Sequence, residues 1–190
     1  MQPVSVSEIK NLAEYELERE HWRPLVMALK DRRRVRVGGH LTFLFENHDT
    51  VRYQIQEMIR IERIVKPAEI AHEVETYNEL IPVKGELSAS LLIEYETPAE
   101  RDLRLRELVG LENHIWLAVG DLAPAMAAFD NRQMSTERIS SVQYVKFRLT
   151  PEQVARFPHG ARIVVDHPHY QAERALTAQE LEDLSQDLAV

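Results

Sequence analysis

Residues 32–46, RRRVRVGGHLTFLFE, constrain the fold more than any other part of the chain. Two alternating runs flank Gly38-Gly39, and a glycine pair supplies the positive φ angles that a tight two-residue hairpin turn requires. An antiparallel strand pair is therefore expected here. Its second strand points Leu41, Phe43 and Phe45 to one face, and His40, Thr42 and Glu46 to the other. A second alternating run, ELSASLLIEYE, sets Leu87, Ala89, Leu91, Ile93 and Tyr95 against Ser88, Ser90, Glu94 and Glu96. That pattern predicts a long strand with one dry face. The segments HIWLAV, SSVQYVKFRL and ARIVVD, rich in β-branched and aromatic residues, read as further strands.

Helix starts are marked three times by a threonine followed three residues on by Glu or Gln: Thr97/Glu100, Thr150/Gln153 and Thr177/Glu180. Each pair can satisfy two amides left free at a helix start, and Pro98 and Pro151 occupy the favoured first helical position. Asn47 or Asp49 can cap an earlier helix, and Pro67 can open the next, which together predict a helical hairpin. At the beginning of the chain, a helix is expected after Ser5 or Ser7. Its apolar marks Ile9, Leu12 and Ala13 recur at helical spacing until Trp22 and Pro24 interrupt them, and a second short helix follows over Leu25 to Lys30. Because strands and helices do not alternate strictly, the expected fold is α+β, with a mainly antiparallel or mixed sheet flanked by helices. The 190 residues are expected to form one globular domain over positions 1–190.

Composition narrows the chemistry. The chain has no cysteine, which excludes disulfides, thiolate zinc sites, cysteine-ligated iron–sulfur clusters and a cysteine nucleophile. Any metal must be held by His, Asp or Glu. A formal charge of -8 disfavours general nucleic-acid binding. No apolar run approaches the ~20 residues of a membrane span, and the start MQPVSVSEIK lacks the apolar core of a signal peptide. The expected location is the cytoplasm. Phosphate loops, dinucleotide fingerprints and a Gly-x-Ser-x-Gly elbow are all missing from the sequence.

Several polar placements stand out against this background. Stepping 100° per residue from Val51 puts Ile55, Met58, Glu62 and Val65 in one narrow stripe, so Glu62 is expected to be buried. A buried carboxylate needs a cationic partner or several donors, and its roles are a structural ion pair or, alternatively, a metal ligand or general base. Glu69 and His72 have the i, i+3 spacing of carboxylate-bridged di-iron bundles, but Ile70, Val74, Tyr77 and Ile81 form the dry stripe there and His72 faces away. In HPHY, His167 and His169 stand two residues apart, so either an extended chain turns both toward one ion, with Asp166 or a distant carboxylate as a third ligand, or the segment is a strand-end loop whose histidines are incidental. The basic cluster Lys30, Arg32, Arg33, Arg34 and Arg36 lies against the hairpin, and strand alternation aligns Arg32, Arg34 and Arg36 on one face, either as a contact for an anion, RNA or an acidic partner surface, or as a solvated edge strand or internal pairing with surplus carboxylates.

The combination of LTFLFENHDTVRYQIQEM, YNELIP, GELSASLLIEYE, SSVQYVKF and HPHY resembles the uncharacterised bacterial family DUF3501, with the most specific likeness over Leu41 to Glu96. His48 stands where many relatives carry an arginine, which makes it a poor essential ligand. The family supplies no catalytic residues to transfer. The resemblance implies an association with rubrerythrin-like or iron–sulfur redox proteins of anaerobic or peroxide-stress metabolism. The expected role is therefore an accessory or interaction module, with a metal-dependent or small-ligand-binding enzyme using His and carboxylate groups as the alternative.

Overall fold

In the computed structural model, which describes residues 1–130 and 136–189, the strands form two antiparallel sheets rather than one. The hairpin of β1 (Arg34–Val37) and β2 (Leu41–Phe45) continues through β3 (Glu86–Ile93), β7 (Val142–Arg148) and β6 (Ala128–Phe129) as a five-stranded sheet. The second sheet is ordered β5 (Ala125–Met126), β4 (Ile115–Val119), β8 (Ala161–His167) and β9 (Tyr170–Ala175). The alternation identified the inward side correctly. Phe43, Leu91 and Val145 of the larger sheet share one core with Ile115, Leu117 and Ile163 of the smaller, completed by Leu105 and Leu184 from flanking helices.

The larger sheet is covered on its other face as well. Helices α1 (Leu12–Arg32), α2 (His48–Glu62) and α3 (Pro67–Asn78) lie on that side, and Val51, Ile55, Ile59, Val74, Leu80 and Ile81 form a second apolar cluster. This double coverage buries the polar face of β3: Ser88 and Ser90 are buried beside Leu87 and Ala89. The expected helical hairpin is α2 and α3. Asn47 caps α2 through the Thr50 amide, while Thr50 returns its hydroxyl to the Asn47 amide. Pro67 opens α3.

All three threonine starts operate. Thr97 caps α4 (Pro98–Glu107), Thr150 caps α5 (Pro151–Arg156), and the Thr177 and Glu180 side chains each accept from the other's amide at the start of α6 (Ala178–Ala189). The first helix departs from expectation. Ser5 caps only a single turn, Val6–Glu8, whereas α1 begins after Asn11 and continues through Pro24 to Arg32. Pro24 is exposed, so the carbonyl it leaves without an amide partner one turn back can be hydrated, and the helix does not end there.

The β1–β2 turn also differs from the two-residue form. Val37 pairs with Leu41, so the loop holds three residues, and of the two glycines only Gly38 has a positive φ, 67°. Its lack of a Cβ has a second use, since a Cβ at Gly38 would overlap the Tyr170 hydroxyl. That hydroxyl donates to the Val37 carbonyl at 2.7 Å and accepts from the His40 amide at 3.0 Å, joining the hairpin to the smaller sheet. The end of α6 is fixed just as directly. Arg33 is buried between α1 and β1, donates to the carbonyls of Phe45 and Glu46, and pairs with the buried Asp187. Among the described residues, no helix is long and apolar enough to cross a membrane.

Candidate functional site

The helix-covered face of the larger sheet carries one cross-strand row, Arg34, Leu44, Ser90 and Tyr144, set by the register of four adjacent strands. Above it, between sheet and helices, lies a cavity of about 290 Å³ whose polar lining includes Lys30, Arg34, Glu46, Gln54, Tyr77 and Tyr144. Tyr77 and Tyr144 are shared with a neighbouring groove of about 490 Å³, bordered further by Thr76, Ser88, Phe129 and Lys146. Together these spaces form a cleft along the sheet face. Burial raises the hydroxyl pKa of both tyrosines, so both stay protonated donors at neutral pH.

Lys30 sits on the last turn of α1 and is only 8% exposed. Its Nζ lies over the Tyr53 ring, 5.2 Å from the centroid. Unlike Arg19, which two-fold bonds to Glu57 hold in the same layer, Lys30 has neither a hydrogen bond nor an ion pair among the described residues. The adjacent carboxylate, Glu46, is engaged elsewhere. It accepts from the Thr50 hydroxyl at 2.5 Å and from the Ser90 hydroxyl at 2.6 Å. Burial pushes the Lys30 amine below its ordinary value; the Glu46 charge partly opposes this and the Arg34 charge adds to it.

The magnitudes show that the fold gains little from this lysine. A buried ammonium costs several kcal/mol after relaxation, whereas a desolvated cation over an aromatic face returns about 2 kcal/mol. A methionine, one atom shorter, would fill most of the space without that cost. The Lys30 Nζ keeps an edge on the open cavity, so solvent there and the nearby Glu46 charge offset part of that cost, and polar groups placed against the local packing logic concentrate at functional sites.

The residues singled out from the sequence fall elsewhere, with one exception. Of Arg32, Arg34 and Arg36, only the last two share a strand face, because Arg32 still belongs to α1 and strand alternation does not reach it. Arg32 approaches Asp183 at 3.3 Å and Arg36 is exposed. Arg34 alone reaches the cavity, while also bonding Asp31 at 2.8 Å.

Glu62 is exposed, contrary to the stripe argument. It is the final residue of α2, with Arg63 in the left-handed conformation immediately after it, and the last buried position is Ile59. The stripe overhangs the core: Val65, on the same line, is 69% exposed. His72 is also exposed, and Glu69 bonds Lys66 at 2.8 Å. His48 faces Glu8 at 3.1 Å, at the surface end of α2.

The structure does not turn the ring nitrogens of His167 and His169 toward one point. HPHY is the tight turn between β8 and β9, with His167 paired to Tyr170. Buried His167 contacts the Val109 carbonyl through Nε2 at 3.2 Å and accepts the His169 amide on Nδ1 at 3.2 Å, which fixes the neutral Nε2–H tautomer and uses both ring nitrogens. His169 is exposed, and Asp166 turns to His114 and Trp116. Among the described residues, no group of three or more His, Asp or Glu side chains is placed to hold a metal ion.

Sequence reasoning therefore placed Lys30 in a basic cluster but did not give its burial under the helices, and it missed Glu46. The only available sign was that both lie in or beside the basic hairpin segment; nothing in the local pattern showed that α2 and α3 would cover them.

No curated protein matches this chain. Among solved structures it is similar to a protein of unknown function from Burkholderia pseudomallei K96243, with 34% identity and a TM-score of 0.93 over 98% of this chain and 100% of that one. The model of the family described as "Protein of unknown function (DUF3501)" matches residues 3–188, and the chain therefore belongs to that family.

Proposed function

We propose that this protein is an accessory module that binds a small acidic ligand in the cleft between the larger sheet and helices α1 to α3. The observation that carries the reading is Lys30, a buried cation without a hydrogen-bonding or ionic partner among the described residues, lining a cavity that also receives Arg34. An incoming carboxylate or phosphate supplies the countercharge that the fold withholds, and the protonated phenols of Tyr77 and Tyr144 add neutral donors. The space beside Lys30 and Arg34 holds about 290 Å³, at the small end of ligand sites, and suits a metabolite-sized acid there.

The accessory part of the proposal follows from the family resemblance, with a rubrerythrin-like or iron–sulfur redox protein as the partner. A chain without cysteine brings no thiolate ligands to such a pathway, and here its contribution is the bound acid.

The test is thermal unfolding of the wild type and of Lys30→Met with increasing inorganic phosphate or acetate, in cytosol-like salt. The wild type should gain stability as the ligand term grows, and Lys30→Met should melt higher without ligand yet respond only through general salt effects. Equal responses by the two proteins would rule the site out.

A further inference from the structure

We infer that Lys30 is a nucleophile that condenses reversibly with the carbonyl carbon of a small oxo acid held in the cleft. This rests on the ligand-binding reading and adds the reactive group of the ligand to it.

Lys30 differs from every other lysine of the chain. Of the five, Lys10 pairs with Glu18, Lys66 with Glu69 and Lys146 with Glu86, and Lys84 is exposed on a turn. Lys30 alone is buried without a carboxylate on its nitrogen, and it opens on a cavity. A lysine acts as a nucleophile only when neutral, and desolvation beside a second cation is the arrangement that makes it so. Both conditions are present in the geometry, a buried amine with Arg34 lining the same cavity: burial is the main influence and lowers the amine's pKa, the Glu46 charge opposes it, and the Arg34 charge adds to it to a smaller extent.

The lining assigns the rest of the ligand. Arg34 offers its charge to the acid group, while Tyr77 and Tyr144 offer O–H donors to the carbonyl oxygen and to the alcohol that replaces it. Glu46 is occupied by Thr50 and Ser90, so it does not capture the amine as an ion pair. In the reaction the amine lone pair adds to the carbonyl carbon to give a carbinolamine. The carbon–oxygen bond then breaks, and the two amine hydrogens leave with that oxygen as one water. The product is an imine, and no oxidant or reductant is consumed.

The experiment is incubation of the whole chain with pyruvate, and separately with glyoxylate, in the presence of sodium cyanoborohydride, followed by intact-mass measurement and peptide mapping. The expected result is a single reduced adduct at Lys30, suppressed by inorganic phosphate and lost in Lys30→Arg, which keeps a cation at the site. Label spread over the exposed lysines, with Lys84 modified as readily as Lys30, would overturn the inference in the wild type alone, whether or not the variant folds. Absence of any adduct would overturn it as well. If phosphate still stabilises the wild type through Lys30 in that case, the acid-binding reading survives; if phosphate has no such effect, both fall.

Discussion

Replacing Arg33 by methionine should be the most damaging single change at the junction of β1, β2 and α6. The side chain is 3% exposed, donates to the Phe45 carbonyl at 2.8 Å and to the Glu46 carbonyl at 3.2 Å, and pairs with Asp187. Removing one partner of a buried pair costs about 3–5 kcal/mol. The lower end applies here, because Asp187 can shed its stranded charge by taking up a proton. Burial already holds its carboxyl above the usual aspartate range, with the pull of Arg33 only partly offsetting this. A folded pKa above the unfolded one means that the Asp187 contribution is greatest below the ordinary aspartate value and is lost as pH rises through the folded value. At neutral pH, then, the backbone bonds of Arg33 matter more than its ion pair. Asp187→Asn keeps an acceptor oxygen for Arg33 but leaves its guanidinium without a countercharge, so it should cost about 2 kcal/mol, less than Arg33→Met, which also loses the two carbonyl bonds. With a urea dependence of about 2 kcal/mol per molar, Arg33→Met should lower the unfolding midpoint by about 1.5 M at unchanged slope. A loss below about 0.5 M, or a larger loss for Asp187→Asn than for Arg33→Met, would refute this ordering.

Two further outcomes follow from the histidine turn and the corrected glutamate. Burial is the leading influence lowering the His167 pKa, and protonation would set an Nδ1 hydrogen against the His169 amide. The unfolded chain takes up this proton near pH ~6.5 while the folded chain resists, so stability should fall as pH drops below that point; imidazole NMR should show His167 titrating below the ~6.5 of an ordinary histidine, and a midpoint at or above that value would contradict it. Because Glu62 is exposed at a helix end, Glu62→Ala should change stability by less than about 0.5 kcal/mol, and a loss of several kcal/mol in urea unfolding would restore the buried-ion-pair reading.

The parts of the fold written in local chemistry were legible in the sequence. Alternation in LTFLF and ELSASLLI identified the strands and their core faces, and threonine with Glu or Gln three residues on marked helix starts. What local patterns did not carry was coverage. The polar face of β3 reads as solvent-facing in the sequence, yet α2 and α3 lie over it, so Ser88 and Ser90 are buried. The same long-range packing creates the cleft and encloses Lys30, which in sequence is one more member of a basic run. Glu62 failed for the opposite reason: helical periodicity gives direction but not where the supporting core ends. HPHY left two readings open because two-residue spacing fits a chelating strand and a strand-end turn equally, and β9, with its alternating polar composition, gave little apolar signal. Pro24 was read as a helix stop, although an exposed position tolerates the missing amide.

The central claim is that Lys30 is a buried amine awaiting an acidic ligand, and its titration tests this most directly. Nuclear magnetic resonance of the Lys30 side-chain Cε group should show a midpoint below the ~10.4 of an ordinary lysine, as burial dictates. Addition of inorganic phosphate should raise that midpoint, because an anion that prefers the charged amine must, by linkage, strengthen its hold on the proton. A Lys30 midpoint at the ordinary lysine value, unmoved by phosphate, would contradict the account.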